Sequence, residues 1–401
     1  MSRVERADPP GNVKGKTSMD IHELTLWVFV FICSIGWWPL LYVLIFFYLA
    51  ANGLRVSSGK GIAVWGYIVI VAILFVAGFS NSQFVKSDSI RDLIILTNPV
   101  IIFLLARSVL KNTGEALVLE VLLNATRVLT ILAIALFVIR LISGSFNLSS
   151  LYHYRNSLPA FPYEVFVFLC LSLFKTESKL LSFPVIGAII LILLYFSRNF
   201  FLMLSVLFIL RYYKNTFKLV FVLLMFLIVF SLFVFSSRWS GAEQFLFKIL
   251  NSYNELFVVD FTSHSSIIHN WRAYELYKGL QQFSSYTTWN QLFGVGLGAR
   301  IALNGEYWLS GTLYSSLPFL HNGFVTMLVK VGVLPFFVFV YFFFFPFNLN
   351  VKFSCVSFNK ALIYRYSQFV LVLSTFLVMG IFSASLKVGT FLFLMFVLRK
   401  N

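Results

Sequence analysis

Runs of about 20 apolar residues recur along the whole of this 401-residue chain, and each is long enough to cross a bilayer as a helix. Lipid offers no water to satisfy backbone N–H and C=O groups, so such runs form helices and not open sheets. Only 11% of the residues are charged and 59% are hydrophobic, whereas a soluble domain carries about 25% charged residues. The sequence therefore predicts an all-α polytopic membrane protein with about 12 transmembrane helices.

The spans are placed at about 22–35, 38–53, 61–80, 91–109, 118–143, 162–174, 180–196, 198–213, 217–236, 319–347, 361–382 and 387–398. The first two are divided at Gly36-Trp37-Trp38-Pro39, where one long proline-kinked helix is the competing expectation. Residues 1–20 read as a disordered cytoplasmic tail, and no small-residue cleavage site marks the following apolar stretch as a removed signal. The net charge of +16 does not point to nucleic acid, because Lys and Arg lie in the short connections and not on one tail or face. With the N-terminus inside, the inner connections hold Arg55 and Lys60, Arg107 and Lys111, Lys175 and Lys179, Arg211 to Lys218, and Lys352 and Lys360, and the outer ones hold fewer cations. The chain then divides into the tail (1–20), nine spans (21–236), an outward-facing loop (237–318) and three further spans (319–401).

That loop is too long for a passive connector, and it is rich in Trp and Tyr. Helical spacing in Phe245–Leu256 and Trp271–Leu280 predicts that it is partly helical and folded down onto the membrane. Its tail carries most of the unusual chemistry. His269-Asn270-Trp271-Arg272 comes first, then Gly294-Val295-Gly296-Leu297-Gly298, then His321-Asn322 at the start of an apolar helix. Guanidinium matches phosphate oxygens in a two-pronged geometry, so Arg272 is a candidate anion contact, although an arginine in a polar loop is more often just solvated. Histidine as a residue type can act as a general base near neutral pH or hydrogen-bond a phosphate, so His321 is a candidate for either role; a lone interfacial histidine is more often structural. The glycine stretch lacks a nucleotide-loop spacing, and a tight turn before a re-entering segment is its simpler reading. Ser197-Arg198 stands at the outer junction of two spans, where the arginine either binds an anion or caps two short helices. Arg155, in the outer loop at about 144–161, either adds another cation to the same cavity or stays on the surface. Cys33, Cys170 and Cys355 suggest neither a disulfide nor a metal set, and no HExxH or acidic pair is present. Arg127, Arg140 and Lys330 lie within or near spans.

At these residues the chain resembles the O-antigen polymerase and O-antigen ligase family of bacterial envelope glycan assembly. The similarity rests on His321-Asn322 followed by nine residues and Gly332, on Ser197-Arg198, and on Arg272 ahead of Gly294–Gly298. Pro335 stands where the family usually has Gly. The resemblance covers roughly 150–350. It implies a multi-pass bacterial inner-membrane enzyme whose active site faces the periplasm, in the biosynthesis of lipopolysaccharide or a related polysaccharide. The donor it implies is a glycan on undecaprenyl pyrophosphate. Arg198 and Arg272 would stabilise the leaving group, and His321 would act on the acceptor hydroxyl. Ser197, Arg155, Asn322 and Trp271 would bind substrate, and loop aromatics would stack on sugar faces. The implied reaction is inverting and needs neither metal nor cofactor; the implied partners are lipid and a chain-length regulator. Polymerisation of repeat units is the first expectation, transfer of the finished glycan to lipid A-core the second, and a polytopic transporter or flippase the rival from another class.

Overall fold

Among the described residues, the apolar runs are helical. The computed structural model describes residues 20–52, 68–74, 76, 86–145, 158, 161–175, 182–195, 197–212, 215, 220, 247, 250, 251, 261–309, 312–344, 358–378 and 387–398. The expected tail, almost all of the span at about 217–236, most of the outer loop before 261, and Arg155 lie outside the described residues.

Helix α1 (Ile21–Ile35) stops at Gly36, which takes a left-handed φ of 72° and returns its N–H to the Ile32 and Cys33 carbonyls. Helix α2 (Trp38–Asn52) starts two residues later with Pro39 in its first turn, where a missing N–H costs nothing. Two helices therefore stand here, not one kinked helix. Helices α3 (Lys86–Thr113) and α4 (Glu115–Ile142) turn at Gly114, whose φ is 78°. Both are long and apolar enough to cross a membrane. Shorter helices α5 (Pro162–Phe174), α6 (Phe183–Leu194) and α7 (Arg198–Tyr212) follow.

Near the C-terminus come α13 (Lys360–Val378) and α14 (Gly389–Leu398). Every residue of α14 is buried, as expected of a helix that is apolar all round. Its described stretch reaches about 15 Å at 1.5 Å per residue, and its full burial makes it a central core helix. It packs on α1, α3, α5 and α13, with Phe393 against Phe29 (4.8 Å between centroids) and Phe396 against Phe103 (5.2 Å). The outside of this helical body carries exposed Phe46, Phe47, Ile142 (81%) and Phe183 (74%).

Ion pairs gather the helix ends into two groups. At one end Lys175 meets Glu120 at 2.8 Å and Lys360 meets Glu115 at 2.6 Å, and Asn359 N–H donates to the Phe174 carbonyl. At the other end the first turns of α3 meet the segment that follows residue 260.

That segment is partly helical, with α8 (His264–His269), α9 (Trp271–Ser284) and α10 (Thr288–Phe293). It also contains an antiparallel hairpin, β1 (Ile301–Leu309) and β2 (Thr312–Leu317), which the helical expectation for the loop omitted. Strand alternation is disrupted between Ala302 and Tyr307, where Asn304 has a φ of 55°, so no clean period-2 pattern marked it. Ile267, Tyr274, Leu303, Leu320, Val325 and Val329 form a small core separate from that of the helical body.

The expected single span at about 319–347 is two helices, α11 (Gly323–Val331) and α12 (Val333–Phe344). The break has a steric cause. Gly332 has a φ of 76°, and a Cβ there would sit 2.3 Å from Gly294 N; a Cβ on Gly294 would sit 2.2 Å from the Lys330 carbonyl oxygen. The glycine turn and the helix break thus touch backbone to backbone, and Gly296 N–H donates to Lys330 O at 3.0 Å. Pro335 falls in the first turn of α12, where proline is tolerated. Gly332→Ala combines left-handed strain with a backbone clash, so it is expected to lower stability by about 3 kcal/mol, read as a fall in Tm of the detergent-solubilised protein.

Candidate functional site

The chemistry expected near His321 is built where α9 and α11 cross. Gly279 makes the close approach possible: a Cβ there would lie 2.6 Å from Leu320 Cδ1 and 2.9 Å from Val325 Cγ1. Asn322 is the N-cap of α11, its Oδ1 accepting the Val325 N–H at 3.1 Å. The Thr326 hydroxyl donates to the Asn322 carbonyl at 3.0 Å and accepts the Leu320 N–H at 2.9 Å, which fixes the chain on both sides of His321.

Across from His321 stands Glu275, one turn into α9. Its side chain is 4% exposed, while that of His321 is 48% exposed. Glu275 Oε2 accepts the His321 backbone N–H at 2.9 Å and lies 2.8 Å from His321 Nδ1; Oε1 lies 3.1 Å from the same nitrogen. Trp271 Nε1–H donates to Oε1 of the same carboxylate. The structure thus joins two residues singled out in the sequence, Trp271 and His321, through a third that was not. Glu275 lies 46 positions from His321, and no local spacing relates them.

Trp271 also packs against Tyr274 and Tyr307 at 5.7 and 5.6 Å, and His264 stacks on Tyr307 at 5.4 Å. The Tyr274 hydroxyl donates to the Leu303 carbonyl, and lies 3.0 Å from that of Tyr307. Burial, and then the Tyr307 hydroxyl, raises the Tyr274 phenol above its ordinary range. Tyr274 and Tyr307 are core residues of this segment, not free faces for sugars; Trp289 and Trp308 are the exposed tryptophans of the stretch.

A charge network ties this platform to α3. Asp92 Oδ2 accepts Lys330 Nζ at 2.5 Å and the Gly298 N–H at 2.8 Å. Asp88 pairs with Arg300 at 2.7 Å and with Arg91 at 3.1 Å, and the Arg91 guanidinium lies 4.9 Å over the Phe319 ring. Ser89 Oγ donates to the Leu297 carbonyl at 2.9 Å, and Leu297 N–H donates to Leu74 O. Asp92 and Lys330 are both buried and paired, and the Arg91 guanidinium lies 3.8 Å from the other Asp92 oxygen. The glycine stretch is the tight turn that its sequence suggested, with φ of 78°, 92° and 84° at Gly294, Gly296 and Gly298.

Arg272 is half-buried in the first turn of α9, beside Trp271. Ser197 and Arg198 open α7, which packs on α5, α6 and α13; α13 also meets α11. Arg198 therefore belongs to a helix joined to that of His321 through α13. Among the described residues, no three His, Cys, Asp or Glu side chains gather as metal ligands. Compared with protein-family models, with curated proteins and with solved structures, the chain matches none.

Proposed function

We propose that this chain is a membrane-embedded glycosyltransferase that polymerises oligosaccharide repeat units carried on a polyprenyl pyrophosphate, working on the outer face of a bacterial inner membrane. The observation that carries the proposal is the half-exposed His321 imidazole. Its Nδ1 is engaged inside a built platform, and its Nε2 is left to act on an acceptor hydroxyl. In the reaction the acceptor oxygen bonds to the anomeric carbon, and the bond from that carbon to the pyrophosphate oxygen breaks. The hydroxyl proton passes to His321 Nε2, and the bonding pair leaves with the pyrophosphate. Arg198 and Arg272 meet the charge that develops on this leaving group.

Two features support the membrane placement. The exterior carries large exposed apolar side chains such as Phe46, Phe47, Ile142 and Phe183, which suit lipid. The ion pairs also respect the sidedness drawn from the positive-inside bias. Glu115, Glu120, Lys175 and Lys360 join helix ends assigned to the inside, while Asp88 with Arg300, and Asp92 with Gly298, join ends assigned to the outside.

Arg198→Ala and Arg272→Ala are each expected to cut transfer by about 10²–10³-fold, the scale of losing one charge-stabilising group. The assay is polymer length on a gel together with turnover of a lipid-linked repeat unit by purified protein. Wild-type ladders from both variants would remove the arginines from the site. Disruption of the gene in its host separates the two transferase readings: a missing polymerase leaves lipopolysaccharide capped by a single repeat, and a missing ligase leaves bare core.

A further inference from the structure

Among the described residues, Glu275 is the buried carboxylate in contact with the His321 ring, and nothing in the proposed chemistry yet uses it. Resting on the glycosyl-transfer reading above, we propose that Glu275 is a positioning residue that sets which nitrogen of His321 carries the proton. A carboxylate offers only acceptors. One of its oxygens takes the Trp271 indole N–H and the other takes the His321 backbone N–H, and neither of these donors can reverse its role. The remaining contacts, from Nδ1 to Oε2 at 2.8 Å and to Oε1 at 3.1 Å, are then made by an N–H that the ring donates to the carboxylate. The neutral imidazole holds its proton at Nδ1 and presents a lone pair at Nε2, the form that accepts a proton from an attacking hydroxyl.

The same carboxylate stabilises the imidazolium formed during transfer, as a negative charge beside a developing positive one. Trp271 serves in turn as the strut that orients Glu275, since Trp271 opens α9 and Glu275 lies one turn further on. A purely structural carboxylate would also tie α9 to α11, but it would have no consequence for the protonation pattern of an exposed ring.

The test reads that pattern directly. Full-length protein with ¹⁵N-labelled histidine is studied by NMR in detergent, and the His321 ring is assigned as the signal absent from His321→Gln. At a pH where the ring is neutral, the wild type is expected to carry its proton on Nδ1. Glu275→Gln keeps the side-chain shape, and is expected to raise the Nε2–H population and to slow transfer by about 10²–10⁴-fold without loss of folded protein. A wild-type ring protonated at Nε2 would overturn the assignment, as would a Glu275→Gln protein with wild-type tautomer and wild-type turnover. The NMR result does not depend on activity. An Nδ1–H ring in a protein that transfers no sugar would keep Glu275 as the positioning residue and sink the transferase reading instead.

Discussion

His321→Ala is expected to stop chain extension, with turnover falling by about 10²–10⁴-fold, the usual contribution of a positioned acid or base. The fold should survive. The ring is half exposed, and its removal leaves Glu275 with the Trp271 indole and the His321 backbone N–H as donors. The measurements are the glycan ladder from a complemented deletion strain and the amount of protein in the membrane fraction. An unchanged ladder would remove His321 from any catalytic role. Loss of protein from the membrane would make the residue structural.

Lys330→Ala carries the second large expectation. It leaves the buried Asp92 carboxylate with the Gly298 N–H and an Arg91 guanidinium 3.8 Å away, and breaking one side of a buried pair costs about 3–5 kcal/mol. The loss would appear as a lower Tm of the solubilised protein, and it should reach the His321–Glu275 contact too, because Lys330 lies on the helix that His321 precedes. Asp92→Asn added to Lys330→Met removes both charges and leaves an acceptor for the Gly298 N–H, so it should recover most of the stability. If Lys330→Ala melts with the wild type, the pair does not hold the platform to α3.

Most helices were legible because each rests on local pattern. Apolar runs ending at Gly36, starting at Pro162 or ending near Tyr212 mark their own limits within a few residues. Three features escaped, one for a local reason and two for reasons that are not local. The hairpin is hidden by its irregular stretch between Ala302 and Tyr307. The break at Gly332 reads as uninterrupted apolar helix until Gly294 is known to press against it. Glu275 was not singled out, because its meaning depends on His321 across the α9–α11 crossing. His321, Asn322 and Trp271 were each visible as unusual residues in a lipid-compatible chain. What the sequence did not give was the division of labour among them: Asn322 caps a helix, and Trp271 holds a carboxylate.

Helix α11 belongs to two cores at once. Val325 and Val329 fill the one beneath the hairpin, and Met327 and Val331 fill that of the helical body. The height and tilt of the His321 imidazole are therefore referenced to the deep interior as well as to the small core under the hairpin. A conservative exchange far below, against Met327 or Val331, would be transmitted along a rigid rod of nine residues to the ring at its tip. Screens for variants with altered product length should accordingly reach beyond the mouth of the site, into the packing at the foot of this rod.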